Sequence, residues 1–169
     1  MLFKGVKHKS IQKKIVKKFE TLQNNSDLKI DKNSKVLLIL EDKSDVPLRE
    51  LLNQKFSWPL KRISTLLFND SNQVDSNTEL TFSLEHIGLF GNIKSEELKK
   101  EIDQDFDLVI NLLSNDVALL LTLESNSKFR IGVDSNKANF YDLTIATESG
   151  DLNIFVNELE RYLKILNKI

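Results

Sequence analysis

Residues 106–133 read FDLVINLLSNDVALLLTLESNSKFRIGV, and this stretch decides the fold. Two short runs rich in β-branched and aromatic residues, 106–112 and 128–133, flank an apolar segment over 115–124. Such short runs are typical of strands that are buried on both faces, and the segment between them predicts a buried helix. A strand, a helix and a strand within about thirty residues form one βαβ unit, whose two strands are parallel.

The alternation of strands and helices continues on both sides of this unit. The predicted strands cover residues 35–40, 62–68, 79–83 and 140–147, and the predicted helices cover residues 44–55, 95–103 and 152–166, with a loop over 69–78. A chain of 169 residues, 40% of them hydrophobic, suffices for one domain and its core. The predicted fold class is therefore α/β: a single Rossmann-like domain with a mainly parallel sheet, helices on both faces and an N-terminal basic amphipathic helix.

The N-terminal segment carries a clear helical pattern. Apolar residues recur there at steps of four, four and three, which places them on one helix face: Ile11, Ile15, Phe19 and Leu22. Ser10 is the predicted N-cap, and the helix is expected to end near residue 24. We therefore divide the chain into a basic helical arm, residues 1–25, and a Rossmann-like α/β domain, residues 26–169.

Charge separates this arm from the rest of the chain. Residues 1–24 hold seven lysines and one glutamate, a net charge of +6, although the whole chain carries −1. Residues 25–169 therefore carry −7. If the arm binds nucleic acid, the residues predicted to do so are Lys9, Lys13, Lys14, Lys17 and Lys18.

Three interpretations of the basic helix are open. The helix can neutralise phosphates of RNA or of a ribonucleoprotein, or it can lie on an anionic membrane surface. It can also dock its apolar face on the protein's own sheet while the lysines stay in water, and this is the interpretation that composition favours most. Contact with RNA, a ribonucleoprotein or a protein partner comes next, and a membrane surface is less favoured.

The residue types exclude several classes of chemistry. The chain has no cysteine, so disulfides, a thiolate nucleophile and cysteine-based metal sites are excluded. The two histidines, His8 and His86, lie far apart in the sequence and belong to no metal-binding motif. The five glycines form neither of the glycine-rich turns that cradle phosphates. We predict no catalytic residue, no metal and no cofactor, and we favour a protein that is not an enzyme.

Polar side chains follow several of the predicted strands. Ligands of open α/β sheets bind at the carboxyl ends of the strands, where Asp42, Asn111 and Asp134 are the candidates for a ligand cleft. The competing interpretation is that such residues cap the helices that follow them. Trp58 and Phe90 can offer aromatic rings to a ligand, but we expect both to fill the edge of the core.

No segment has the length and apolar character of a signal peptide or a membrane span. The sequence therefore predicts a cytoplasmic protein with no transmembrane segment.

Two families resemble the chain through specific motifs. Phe106–Leu112, the apolar helix after it and Ser127–Asp134 are similar to a strand–helix–strand segment in the N-terminal domain of heptosyltransferase-like glycosyltransferases. This resemblance covers about residues 105–134 and implies a Rossmann-like sheet. The sugar nucleotide of those enzymes is held mainly by a second domain, for which this chain has no room.

Over nearly its whole length, the chain also resembles a family of small uncharacterised proteins common in Bacteroidota. The motifs are the lysine-rich opening, Phe82–Gly91 before a Lys-Ser-Glu-Glu-Leu helix, the Phe-Asp-Leu-Val-Ile-Asn-Leu strand, Phe-Arg-Ile-Gly, Tyr141–Ile145 and Leu159–Lys168. This resemblance implies no activity.

The leading hypothesis is a non-catalytic cytoplasmic interaction protein that contacts RNA, or a ribonucleoprotein such as the ribosome, through the basic helix. The alternative is a degenerate or minimal sugar- or nucleotide-binding domain related to glycosyltransferases, with its ligand at the strand ends.

Overall fold

The computed structural model of the chain describes residues 2–23, 27–41, 47–70, 79–147 and 150–169. Six strands and five α-helices lie within these ranges. The strands are β1 (Val36–Leu40), β2 (Ile63–Phe68), β3 (Leu80–Phe82), β4 (Phe106–Asn111), β5 (Ser127–Gly132) and β6 (Leu143–Thr144). The helices are α1 (Leu2–Glu20), α2 (Leu48–Phe56), α3 (Glu96–Ile102), α4 (Asp116–Glu124) and α5 (Leu152–Ile165).

The six strands form one sheet in the order β3-β2-β1-β4-β5-β6, and every pair is parallel. This confirms the predicted α/β class with its Rossmann-like sheet. The chain builds outward from β1 to β3, returns to the centre through α3 and then builds outward on the other side from β4. The direction changes between β1 and β4, where Ile39 lies beside Asn111. Open α/β sheets bind their ligands near this point.

Helices cover both faces of the sheet, so the central strand β1 is buried along its whole length. On one face, α1, α3 and α4 contribute to an apolar cluster that includes Ile11, Leu98 and Leu120. On the other face, α2 and α5 contribute to a second cluster that includes Leu52 and Phe155. The two clusters share the sheet between them.

α4 is buried on every side. Each residue from Val117 to Leu123 is buried, because the sheet covers one side of α4 and α1 packs across another. A helix that is apolar all round must be covered all round. α1 therefore completes the core as well as carrying charge at the surface.

Two of the predicted elements differ from the observed ones. α1 begins at Leu2, so Ser10 lies inside the helix and its prediction as an N-cap is wrong. The leucine and lysines before Ser10 are good helix formers and extend the helix toward the N-terminus. The strand predicted over 140–147 is reduced to the two residues of β6, because a 3-10 helix over Ser135–Phe140 occupies the preceding chain.

Several predicted features fall outside the described residues. They are the cap of α2 at Ser44 and Asp45, the loop over 71–78, and the end of the arm over 24–26. The division of the chain at residue 25 lies in the last of these and stays a prediction.

α1 is the longest of the described helices, with 19 residues, but seven of them are lysines. None of the helices that the structure describes is both long enough and apolar enough to cross a bilayer.

Candidate nucleic-acid interface

The apolar face of α1 is docked on the body of the protein. Ile11 and Ile15 are buried in the same cluster as α4. Burying one such side chain contributes about 1.5–3 kcal/mol. Two hydrogen bonds lie beside this apolar contact. The Gln12 amide donates to Asp116 over 3.3 Å, and the Lys7 ammonium donates to the Leu84 carbonyl over 3.3 Å. These contacts fix which side of α1 faces solvent.

The side of α1 that faces solvent carries a row of lysines. Lys9, Lys13 and Lys17 are all exposed, and they follow one another at steps of four residues. Steps of four place neighbouring side chains about 6 Å apart along the helix axis. Among the residues that the structure describes, none forms a hydrogen bond or an ion pair with any of these three ammonium groups.

The other two predicted nucleic-acid-binding residues lie at the flank of the helix. Lys14 forms an ion pair with Glu124 at the end of α4, with 3.6 Å between the nitrogen and the oxygen. Lys18 is half-buried. The structure therefore brings Lys9, Lys13 and Lys17 together on the outward face and places Lys14 and Lys18 nearer to the body.

An exposed phenylalanine lies on a turn that packs against α1. Phe90 lies in a tight turn between Gly88 and Gly91, and 84% of its surface is exposed. The expectation that Phe90 fills the edge of the core is wrong, whereas the same expectation for Trp58 is confirmed. Ile87, which precedes the turn, fills the core instead and leaves the turn outside. An apolar pair enclosed by two glycines is the sequence signal that could have indicated this exposure.

The turn is pinned against α1. The Gly91 N–H donates to the Gly88 carbonyl over 3.1 Å, and the backbone of Gly91 adopts a left-handed φ of +77°. A Cβ atom at Gly91 would lie 3.2 Å from the Ser10 carbonyl oxygen and 3.3 Å from Lys14 Cδ. The turn that carries Phe90 therefore packs against α1 at Ser10 and Lys14.

Of the candidate ligand-cleft residues, Asn111 and Asp134 lie at the carboxyl edge of the sheet, and Asp42 falls outside the described residues. Asn111 ends β4 and is fully buried; its amide nitrogen donates to the Tyr141 hydroxyl over 2.9 Å, and its oxygen accepts the Leu113 N–H. Asp134 follows β5 and accepts the N–H of Asn136, which caps the 3-10 helix. Asn111 and Asp134 thus both interact with Tyr141, Asn111 through a hydrogen bond and Asp134 through its charge. Each side chain also accepts a backbone N–H from a residue two positions further along the chain.

Tyr141 is a partly buried phenol at the centre of this group. Burial raises its pKa to about 12; the hydrogen bond from Asn111 opposes this rise, and the Asp134 carboxylate adds to it. The ring lies directly on β5, because a Cβ atom at Gly132 would come within 2.4 Å of it. A phenol with this pKa remains protonated at neutral pH and acts there as a hydrogen-bonding group.

A cleft of about 520 Å³ lies along the same edge, between the N-terminal half of α1 and the start of α4. Its walls include Lys4, Lys7, His8, Phe68, Asp70 and Asp116. Burial alone would raise the pKa of Asp116, but the ion pair with Lys137 at 2.8 Å and the Gln12 hydrogen bond hold that pKa below its usual value. Both cationic side chains and carboxylates therefore line the cleft. The sequence patterns did not indicate that α1 forms one of its walls.

Within the described part of the chain, no three histidine, aspartate or glutamate side chains are grouped so that they could hold a metal ion.

The model of one protein family, a family of unknown function (DUF6913), matches residues 7–166 of the chain. No curated protein and no solved structure matches the chain.

Proposed function

Because the chain belongs to this family of unknown function, we propose its role from its own geometry: a non-catalytic cytoplasmic protein that binds RNA through the outward face of α1. The RNA is free or is exposed on a ribonucleoprotein such as the ribosome. The observation that carries the proposal is the row of Lys9, Lys13 and Lys17, exposed on a helix whose opposite face is anchored in the core.

The charges of this row are unfavourable for the helix itself. Like charges four residues apart destabilise a helix by about 0.2–0.5 kcal/mol per pair. The first turn of α1 contains no acidic residue and does contain Lys4, although the N-terminal end of a helix favours negative charge. An anionic partner would relieve both costs, since each phosphate contact also releases counterions.

Docking of α1 on the body is compatible with RNA binding by its outward face. A helix that is fixed on the body loses no backbone entropy when it binds a partner, whereas a flexible arm would have to be ordered at that moment. The lysine row extends over about 12 Å of a rigid helix, which suits the regularly spaced charges of a nucleic-acid backbone.

The test is RNA binding by the full chain, measured by fluorescence anisotropy at several salt concentrations. The variant Lys9→Gln/Lys13→Gln/Lys17→Gln should bind more weakly. Its slope of log affinity against log salt should become shallower by about 2, since each single-strand phosphate contact contributes roughly 0.7. A control with the same loss of charge, Lys32→Gln/Lys61→Gln/Lys99→Gln, changes exposed lysines outside α1 and should bind as the wild type does. Binding that is insensitive to salt, or equal loss in both variants, would refute the proposal.

A second candidate function is supported by the strand order and by the cleft beside α1. The order β3-β2-β1-β4-β5-β6 is the one that dinucleotide-binding sheets use, and the resemblance to glycosyltransferases points to a sugar nucleotide. Asp42, Asn111 and Asp134 stand as its candidate contacts. A nucleotide sugar that binds only the folded state must raise the melting temperature, with or without magnesium. If no nucleotide sugar changes the melting temperature, this second function has no support.

A further inference from the structure

We infer that the RNA recognised by α1 is single-stranded and that one of its bases stacks on the ring of Phe90. This inference rests on the proposed RNA binding and names the class of RNA. The juxtaposition that carries it is an exposed phenylalanine on a turn that packs against α1, the helix whose outward face carries the lysine row.

Exposure of Phe90 is costly without a partner. A phenylalanine side chain gains roughly 1.5–3 kcal/mol from full burial, yet 84% of Phe90 faces solvent. Both of the isoleucines that flank the turn, Ile87 and Ile93, face inward and pair across it. The turn is therefore built to keep its apolar ends inside and its phenyl ring outside.

Phe90 is also held in a defined place. The Gly88 N–H donates to the Asn92 carbonyl over 2.7 Å, which closes the turn, and a Cβ atom at Gly91 would be crowded to 3.2 Å from the Ser10 carbonyl oxygen of α1. A ring on a rigid turn can be stacked on without a large loss of conformational freedom.

The turn that carries Phe90 meets α1 next to its lysine-bearing face. A Cβ atom at Gly91 would lie within 3.3 Å of Ser10 and Lys14, and Lys17 continues the same side of the helix because residues spaced by four and then three share one face. Lys13 is beside Lys17 at the outward edge. A strand that follows the lysine row therefore passes close to the turn that exposes Phe90.

This combination fits a single strand better than a duplex. Proteins that bind single strands combine a positive track for the backbone with aromatic rings on which bases stack. The bases of a duplex are already stacked on each other, and its phosphates gain nothing from a phenyl ring. The ring and the lysines together therefore favour single-stranded RNA.

The test compares two RNAs, an unstructured oligonucleotide of about a dozen nucleotides and a duplex of equal length, on three variants of Phe90. Phe90→Ala should weaken binding of the single strand about tenfold and leave duplex binding unchanged. Phe90→Leu retains an apolar side chain but no ring, so it should weaken single-strand binding nearly as much. Phe90→Trp should retain the affinity.

The tryptophan variant also gives a direct signal. The native Trp58 is buried, so an indole introduced at position 90 would be the exposed fluorophore. Its fluorescence should be quenched by the single strand and not by the duplex. Wild-type affinity in Phe90→Leu, or equal losses for both RNAs, would overturn the stacking inference.

The outcomes separate this inference from the proposal on which it rests. If the triple lysine variant loses RNA while Phe90→Ala does not, RNA binding stands and stacking fails. If the wild-type protein binds neither RNA, both fail. Binding to vesicles that contain phosphatidylserine, weakened by Phe90→Ala and without RNA binding, would show instead that the surface is a membrane contact.

Discussion

At the scale of single residues, the carboxyl edge of the sheet is organised around a phenol. Tyr141 receives a hydrogen bond from the buried amide of Asn111, lies near the Asp134 carboxylate and covers Gly132. Two of the three candidate cleft residues are thus tied to one ring. The ring covers the end of β5 at Gly132. Because partial burial raises the pKa of Tyr141, the ionisation of the phenol reports how far the ring is buried.

Alkaline pH should destabilise the protein through Tyr141. The folded-state pKa of about 12 exceeds the ordinary value of about 10, so the contribution of the neutral phenol is complete below pH 10 and is lost as pH rises toward 12. The free energy of unfolding should fall by about 2–3 kcal/mol over this interval, beyond the fall seen in Tyr141→Phe. Urea unfolding of both proteins across this pH range measures the difference. Parallel pH profiles would contradict the raised pKa of Tyr141.

At the scale of elements, α1 and α4 depend on each other. α4 is apolar on every side and needs a cover, and α1 supplies that cover with Ile11 and Ile15. The same helix turns its lysines outward. Stability and the proposed function are therefore placed on opposite faces of one helix and can be changed separately.

Substitutions on the two faces of α1 should differ in their effect on stability. Ile11→Ala removes a fully buried side chain and should lower the free energy of unfolding by about 2–5 kcal/mol. Val16→Ala, on the same helix but 51% exposed, should change it by no more than about 0.5 kcal/mol. Urea titration followed by circular dichroism tests both. Equal effects would mean that α1 is not docked as described.

At the scale of the whole molecule, the two apolar clusters lie on opposite faces of one sheet. Trp58 stacks on Phe56 in the cluster with α2 and α5, with 4.5 Å between the ring centres. Ile11 lies in the other cluster. Because β1 is buried between the two clusters, loss of one face exposes the strand that supports the other.

Unfolding should therefore be a single transition. The fluorescence of Trp58 and the circular dichroism of the whole chain should give the same urea midpoint. Ile11→Ala should lower both midpoints equally, even though Trp58 is on the opposite face. A variant that shifts the circular dichroism but leaves the tryptophan midpoint in place would show that residues 1–25 are a unit separate from residues 26–169.

Sequence patterns predict much of this fold because β1 and each element of the βαβ unit are continuous apolar runs. Their lengths distinguish the strands from the helix. The apolar runs do not indicate which strands pair with each other. Nothing in 106–111 alone predicts that β4 pairs with β1. The end of the sheet is also poorly predicted, since 140–147 looks like a strand but most of it follows a 3-10 helix begun by Asp134.

The candidate interface is predictable only in part. Helical periodicity places Lys13 and Lys17 off the apolar face, as the structure has them. It cannot pair Lys14 with Glu124, which is more than a hundred residues away in sequence, nor bring the turn at Phe90 to α1. Such contacts depend on tertiary packing, and local patterns carry no information about them.

The long sequence separation between α1 and α4 has a consequence for synthesis on the ribosome. Ile11 and Ile15 have their partners at residues 117–123, so a nascent chain keeps these isoleucines exposed until the middle of the sheet has been made. The Ile30 N–H donates to the carbonyl of Lys168, so this hydrogen bond cannot form until the end of the described chain has been synthesised. Contacts between distant parts of a chain slow folding and leave apolar surface open to aggregation. We therefore expect the yield of soluble protein to depend on how long the apolar face of the emerging N-terminal helix stays covered. A chaperone, or the partner that binds the lysines of this helix, would provide that cover.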